Sequence, residues 1–485
     1  MSHLLTSKLA ETLYISIEGL PIVDYHTHLP ADEILNDHQF ENIWELWLKH
    51  DHYKWRLMRG CGVEEKFITG DASPYEKFHA FASILPLAIG NPVHQWAHME
   101  LEKVFNITIP LNAETAESIW NQTNRELSDN TSVNKLLQLF KVKLVATTDD
   151  PFDDLSSHKE IAAKNHPTQV LPTFRPDAHL LNDKIDLSSL KERHDYFHAN
   201  GCQMSDHGLG QIPAPDTPQY QALKAIAQWN HEKGWIMQLH LGPQRQVNTR
   251  LSGQTGPDAG FDTIGSKPQT ERLIHFLDDL NQSDQLPKII LYNLNPNEST
   301  ALCAALQNFQ QASSKSLALP DGRPLTPAAK GLPTNRNGSI GQAKLQSGRE
   351  LAGQAKLQSG RELTGQAKLQ SGRELAGQAK LQSGRELAGQ AKLQYGPAWW
   401  HLDHVRGIRE QLDILTSMSA LGTHIGMLTD SRSFTSYVRH DYYRRILCSF
   451  LAEKAASGEM PNDRTLLIQT AQNIAYHNIK NYLKL

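Results

Sequence analysis

The chain is 485 residues long, with 48 Lys and Arg against 52 Asp and Glu and a formal net charge of −4. That balance excludes bulk electrostatic attraction to nucleic acid or an anionic membrane, so an acidic ligand has to be held by local charges. Hydrophobic residues make up 39%, below the usual share of about 45–50%, which points to a polar segment diluting an ordinary core. The four cysteines (Cys61, Cys202, Cys303, Cys448) are scattered and form no C-x-x-C pair, so neither a zinc knuckle nor a disulfide framework is expected. The opening residues lack a basic stretch followed by an apolar core, and no run is long and apolar enough to span a bilayer. The expectation is a cytoplasmic enzyme without membrane or nucleic-acid partner; a homo-oligomer is allowed.

Taken in chain order, eight β-rich runs end in polar residues: 21–28 (PIVDYHTH), 141–150 (KVKLVATTDD), 169–177 (QVLPTFRPD), 201–208 (GCQMSDHG), 234–242 (GWIMQLHLG), 288–296 (KIILYNLNP), 392–396 (KLQYG) and 425–432 (IGMLTDSR). Amphipathic helical stretches such as 218–234 and 269–282 lie between them. Alternation of this kind predicts a parallel sheet with crossover helices. Eight units favour an α/β fold of the (β/α)8 barrel type over a doubly wound sheet, with the active site at the C-terminal strand ends. The predicted barrel comprises 1–28, 141–309 and 392–485.

Residues 29–140 are too many for a βα connection of about 2–6 residues. They are rich in Trp, His and helical patterning and predict a helical cap inserted after the first strand. Trp44, Trp47 and Trp55 are expected mostly to fill its core, whereas His52, Tyr53, Arg56 and Arg59 make a denser polar cluster than a core requires. Residues 310–391 begin Pro-, Gly- and Ser-rich and continue as GQAKLQSGRELA repeated every 12 residues from Gly341, Gly353, Gly365 and Gly377. Twelve steps of about 100° leave no persistent apolar helix face, and two glycines per copy each cost about 1 kcal/mol in a helix. A disordered insertion before the seventh strand is predicted. Deleting residues 341–388 is therefore expected to preserve turnover with equal or faster refolding, and a soluble but inactive deletion protein would contradict this.

The strongest chemical signal is Asp24-Tyr25-His26-Thr27-His28. Residues two apart on a strand share a face, so His26 and His28 point the same way and can grip one divalent cation. Asp430 stops the apolar run of the predicted last strand, which lies beside the first in a closed barrel, and can complete a His, His, Asp set. The competing expectation for Asp430 is a helix N-cap. His240 closes the fifth run and is a weaker candidate for ligation or substrate contact. Arg175, Arg245 and Arg432 also end runs; guanidinium forks bind carboxylates through paired hydrogen bonds, and three at one rim suggest an acidic small molecule.

DYHTHL, HDHYKWRLMRGCG, TFRPD, SDHGL, MQLHLGPQRQVNTR, GPDAGFDTIG, LYNLNP, YGPAWW and GMLTDSRSFTSYVRHDYYRRIL, in this order, together resemble the bacterial uronate isomerases of the amidohydrolase superfamily. The resemblance covers about 21–309 and resumes at 392. It implies aldose–ketose isomerisation of hexuronates, D-glucuronate to D-fructuronate and D-galacturonate to D-tagaturonate. It implies one divalent ion, zinc being the expected metal, on His26, His28 and Asp430. It carries over Asp430, Tyr53, His52, Arg432 and His240 as catalytic positions, and Arg175, Asp206, Arg245 and Trp399 as substrate-binding ones. The alternative is a mononuclear hydrolase or decarboxylase of the same superfamily. A two-metal hydrolase is disfavoured, because the sixth run offers Asn293 and Asn295 where a histidine would be needed. A scaffold protein working through its repeat would leave the polar rim unexplained.

Overall fold

Short apolar runs rich in Val, Ile and Leu become strands, and each is followed by helix. The computed structural model describes residues 3–180, 185–310 and 391–485. Strand β1 (Ile22–Asp24) pairs in parallel with β2 (Val142–Ala146), and β2 with β3 (Gln169–Leu171). A second parallel sheet runs β4 (Met204–Leu209), β5 (Ile236–Leu241), β8 (Lys288–Asn293) and β9 (Leu393–Tyr395). Parallel bridges Asp149↔Phe174 and Phe174↔Ser205 carry the pairing from the end of β2 across to β4. An antiparallel pair, β6 (Pro243–Gln244) and β7 (Thr263–Ile264), follows β5 and was not anticipated: two residues per strand give no alternation to read.

The crossover helices obey ordinary signals. Thr217 caps Pro218–Lys233 through the Tyr220 N–H, and Gly234, at φ 71°, ends that helix in the left-handed conformation that lets the chain turn into β5. Helix Thr270–Gln282 buries Leu273, Phe276, Leu277 and Leu280, one stripe at helical spacing. Helix Val438–Ala456 is instead buried on most faces; it packs against Lys8–Ile15, Pro92–Phe105 and Val405–Met418. Between β1 and β2 the chain is helical at Ala31–Leu35, Ile43–Trp47, His52–Gly60, Pro74–Ile84, Pro92–Phe105, Ala116–Asn130 and Val133–Leu139. Trp47 is buried there, while Trp44 and Trp55 are half-buried.

Buried strands carry a polar interior. All six residues of β5 are buried, among them Gln238 and His240, which are two apart and share a face. The Gln238 amide donates to Tyr25 O at 3.0 Å and accepts from the Tyr292 hydroxyl at 2.7 Å, so its polar atoms are satisfied by neighbouring strands.

The eighth predicted strand, 425–432, is not one. Gly426 (φ 77°) and Asp430 (φ 47°) are both left-handed, which breaks an extended run. The segment still lies beside the end of β1: Asp430 N–H donates to His26 O at 3.2 Å and His28 N–H to Ser431 O at 2.9 Å. Nor does Asp430 cap a helix, since the next one starts at Val438 with Tyr437 as its cap residue. The described residues, 3–180, 185–310 and 391–485, form one compact unit by their internal contacts. The predicted disorder of the repeat falls on 310–391, of which 311–390 lie outside the described residues.

Candidate active site

Two histidines and a carboxylate converge just beyond β1. His26 Nε2 lies 3.1 Å and His28 Nε2 3.2 Å from the same atom, Asp430 Oδ1. The second Asp430 oxygen accepts the Trp399 indole N–H at 2.7 Å, which fixes the direction in which Oδ1 points. Metal bonds of about 2.0–2.1 Å that subtend 90–109° separate ligand atoms by about 2.9–3.4 Å. The spacings of 3.1 and 3.2 Å therefore fit three ligands of one divalent ion. Electrostatics agree. Burial pushes His28 down to about 4, so its imidazole is neutral and free to ligate near pH 7. Burial also opposes charge on His26, but Asp206 and Asp430 outweigh it and raise its pKa, so this spot favours a positive charge. Burial likewise opposes ionisation of Asp430, yet the two histidines hold it well below the ordinary carboxylate range.

A second cluster shares His26. Asp206 on β4 is fully buried; its Oδ1 lies 2.7 Å from His240 Nδ1 and its Oδ2 2.9 Å from an Arg175 guanidinium nitrogen. His26, Asp206 and His240 could also surround an ion, but the Arg175 cation already sits against Asp206. His240 stacks on Tyr292 with ring centroids 4.1 Å apart and meets Trp399 at 4.6 Å, so its ring is held on two sides. Its Nε2 and His26 Nδ1 are buried without hydrogen-bond partners among the described residues.

His26, His28, Asp430, Arg175 and His240 line a cavity of about 550 Å³ together with His52, Asp149, Arg245, Trp400 and Arg432, with Asp206 buried behind them, a size suited to a small ligand. Asp51 places His52 there: it caps helix His52–Gly60 by accepting from Tyr53 N–H and Lys54 N–H. Burial holds the His52 imidazole below its ordinary pKa. Tyr53 lies behind, its ring nearly parallel to that of His52 at 4.9 Å; its hydroxyl is buried and without a hydrogen-bond partner among the described residues, and it is not among the cavity-lining residues. Arg56 pairs with His401, and Arg59 with Glu65 at 2.7 Å. All three rim arginines are already paired: Arg175 with Asp206, Arg245 with Asp262 at 2.7 Å, and Arg432 with Asp258 at 2.9 Å.

The profile of the glucuronate isomerase family matches residues 1–186, 214–319 and 374–483. The chain belongs to the glucuronate isomerase family. Uronate isomerases of Caldanaerobacter subterraneus subsp. tengcongensis and Opitutus terrae are 36% and 34% identical to it, over 99% of this chain and 98% and 96% of theirs. The crystal structure of a uronate isomerase from Thermotoga maritima superposes with a TM-score of 0.78 at 27% identity, covering 99% of this chain and 98% of that one. Glucuronate isomerase from Caulobacter crescentus has the same fold, with a TM-score of 0.75 at 22% identity and coverage of 100% and 96%.

For a chain of this family, sequence reasoning named nine of the twenty residues that line the cavity, and four of those it missed shape the site. Gly208 is one: a Cβ there would lie 2.7 Å from one Arg175 nitrogen and 3.1 Å from one of Arg245, so the absent side chain is what lets two guanidinium groups converge. It was visible only as the G of SDHGL. Asp149 is another. Burial lifts its carboxyl to about 7, against hydrogen bonds from Thr147 Oγ1 at 2.7 Å and Thr173 N–H at 2.9 Å. Asp258 and Asp262 lie in GPDAGFD, whose aspartates look like ordinary loop residues until the arginines they meet are known.

Proposed function

We propose that this chain interconverts hexuronate aldoses and ketoses, D-glucuronate with D-fructuronate and D-galacturonate with D-tagaturonate. The carrying observation is one cavity joining a His26, His28, Asp430 donor set to the guanidinium groups of Arg175, Arg245 and Arg432. A sugar acid needs both, a polar centre for its reacting oxygens and cations for its carboxylate. The scaffold is read as a (β/α)8 barrel: seven successive runs pair in parallel order, and 425–431 returns to β1. Residues 1–28, 141–309 and 392–485 make up that barrel, 29–140 its helical cap, and 310–391 an insertion.

Isomerisation removes the proton from C2 and returns one to C1, while the hydroxyl proton of O2 passes to O1. A carboxylate held ionised, with one oxygen fixed by Trp399, can take the C2 proton and deliver it to C1; that is the role assigned to Asp430. His52, neutral near pH 7 and facing the cavity, can accept from one hydroxyl oxygen and donate to the other. Tyr53 supports the His52 ring, and His240, locked between Tyr292 and Trp399, offers its free Nε2 to a sugar hydroxyl. Arg175 or Arg432 engages the substrate carboxylate, with Arg245 on the same wall and the buried Asp206 holding Arg175 from behind. A divalent ion on His26, His28 and Asp430, with zinc as the expected metal, supplies Lewis acidity toward the sugar oxygens when bound. The Arg175 charge beside Asp206 favours one ion over two.

The chain is read as a cytoplasmic enzyme acting on a small molecule; among the described residues no helix is long and apolar enough to cross a membrane. Incubating the purified protein with D-glucuronate and assaying for ketose tests the function directly; absence of ketose with the metal bound would refute it. Metal analysis is expected to find one divalent ion per chain, lost in the His26→Ala/His28→Ala double variant; full activity in metal-free wild-type protein would remove the ion from the reaction. Neutral hexoses are expected to be very poor substrates, because they carry no carboxylate to pair with a rim guanidinium. Comparable kcat/KM for glucose and glucuronate would contradict that.

A further inference from the structure

The run that carries Asp430 is not a strand, so side chains supplement the two backbone hydrogen bonds that tie it to the end of β1. Thr429, the residue before Asp430, is gripped from two directions. Its N–H donates to Asp24 Oδ1 at 2.9 Å and its hydroxyl to Asp24 Oδ2 at 2.5 Å. Its carbonyl oxygen accepts from Arg439 Nη1 at 2.7 Å. Asp24 is the last residue of β1, and Arg439 lies in the first turn of helix Val438–Ala456.

Arg439 sits where a cation is costly. Positive charge at a helix N-terminus opposes the helix dipole, and a guanidinium only 2% exposed has given up its water. No close ion pair offsets this among the described residues, since the Asp403 carboxylate stands 3.8 Å away. The guanidinium instead occupies the angle between two rings of the cap. It lies over Trp96 at 4.1 Å and over Tyr53 at 4.8 Å, the rings being inclined at 67°. Burial opposes its charge, but Tyr53 and the acids Asp403, Asp51 and Glu100 more than restore it. The Tyr53 ring in turn backs His52 at 4.9 Å. One guanidinium thus touches both the peptide that leads into Asp430 and the ring behind His52.

We infer that Arg439 is a positioning residue: by fixing Thr429 O and the Tyr53 ring together, it sets how His52 stands relative to Asp430. This rests on the reading of those two residues as the proton-transfer groups of a hexuronate isomerase. Arg439 is not among the cavity-lining residues, so it acts through its neighbours. The groups it aligns come from separate parts of the chain, the cap and the last run, and a misplacement of about 1 Å between reacting groups can cost about 10²-fold. An ammonium on a flexible stem can donate to Thr429 O or settle over a ring. A planar guanidinium does both at once, with its edge and its face.

The test compares wild-type protein with Arg439→Lys, both brought to the same content of divalent metal, with turnover counted per folded molecule. The substitution keeps the buried charge, so the surrounding acids are not left uncompensated. kcat/KM for D-glucuronate should fall about 10- to 100-fold. L-gulonate has the same carboxylate and secondary hydroxyls but no aldehyde to react; its binding should change by less than about twofold, because the cavity wall is untouched. Deuterium at C2 of D-glucuronate should slow the variant at least as much as wild type, since proton transfer is the impaired step. A purely structural role would lower the folded fraction and leave turnover per folded molecule unchanged. That result, or a loss of turnover matched by an equal loss of L-gulonate binding, would overturn the inference. If Arg439→Lys does not fold, Trp96→Phe decides: it weakens one ring contact without touching any charge, and should cost about two- to fivefold in kcat/KM at unchanged L-gulonate binding. Wild-type kcat/KM in Trp96→Phe would then overturn the inference alone. A wild-type protein that converts no D-glucuronate would overturn the parent reading and this inference with it.

Discussion

In Asp430→Asn, kcat/KM for D-glucuronate is expected to fall by about 10²- to 10⁴-fold, the usual contribution of a positioned proton-transfer group, with the fold intact. The substitution keeps the shape of the side chain. An Asn carbonyl oxygen can still accept the Trp399 indole N–H that now ends on Asp430 Oδ2, and the left-handed backbone at φ 47° suits Asn. What disappears is the negative charge beside His26 and His28 and the ability to take a proton. Thermal unfolding and activity, measured on the same preparation, separate the two effects. Near-normal turnover in a well-folded Asp430→Asn protein would exclude a catalytic role. A collapse in stability would show that the carboxylate holds the strand ends together.

Asp206→Ala is expected to act mainly on stability. The carboxylate is fully buried and answers two partners, Arg175 and His240. Removing one member of a buried pair leaves the other uncompensated, at a cost of about 3–5 kcal/mol. The lower end applies here, because Arg175 keeps Asp177 at 3.3 Å and some access to water. That corresponds to a drop of several degrees in the unfolding midpoint, on the order of 2 °C per kcal/mol for a large chain. The pH dependence follows from the sign of the shift. Burial opposes ionisation of Asp206, but Arg175 and then His240 pull its pKa well below the ordinary value. Its contribution is therefore fully present above the unfolded carboxyl pKa of about 3.9 and is lost only as pH falls through the lower folded value. Asp206 also raises the pKa of His26, so the difference between wild type and variant should shrink as pH rises through that histidine's titration. An unchanged midpoint would mean that Asp177 alone satisfies Arg175.

The residues that bring this site together were legible to different degrees. His26 and His28 were readable from their local spacing by two, although β1 ends at Asp24 and both lie in the segment just past it. Asp430 was readable through the expectation that the last run neighbours the first. The neighbourhood holds even though the run is not a strand, because two left-handed residues replace ladder pairing with a pair of backbone hydrogen bonds to His26 and Ser431. Asp206 was assigned to substrate; its contact with His240 depends on a diagonal between β4 and β5, and its contact with Arg175 on the segment after β3, neither of which a single segment encodes. Asp149 has its carboxyl raised chiefly by burial, and burial at the end of a run cannot be read from TTDDP. The aspartates of GPDAGFD meet Arg245 and Arg432 across gaps of 17 and 174 residues, so their pairing belongs to the tertiary fold.

The junction at Gln310 has a practical consequence. Its side-chain amide donates to Leu393 O at 2.6 Å and accepts the Leu393 N–H at 3.2 Å, clasping the exit from one helix to the start of β9. The two ends of the intervening sequence are thus fastened to each other within the folded unit. Sheet order no longer depends on how much chain lies between them, since each doubling of such a length costs only about 0.6 kcal/mol in closure entropy. This makes the position a natural cloning site: a guest domain with closely spaced termini, spliced in place of residues 341–388, would be carried as a passenger without a new linker design.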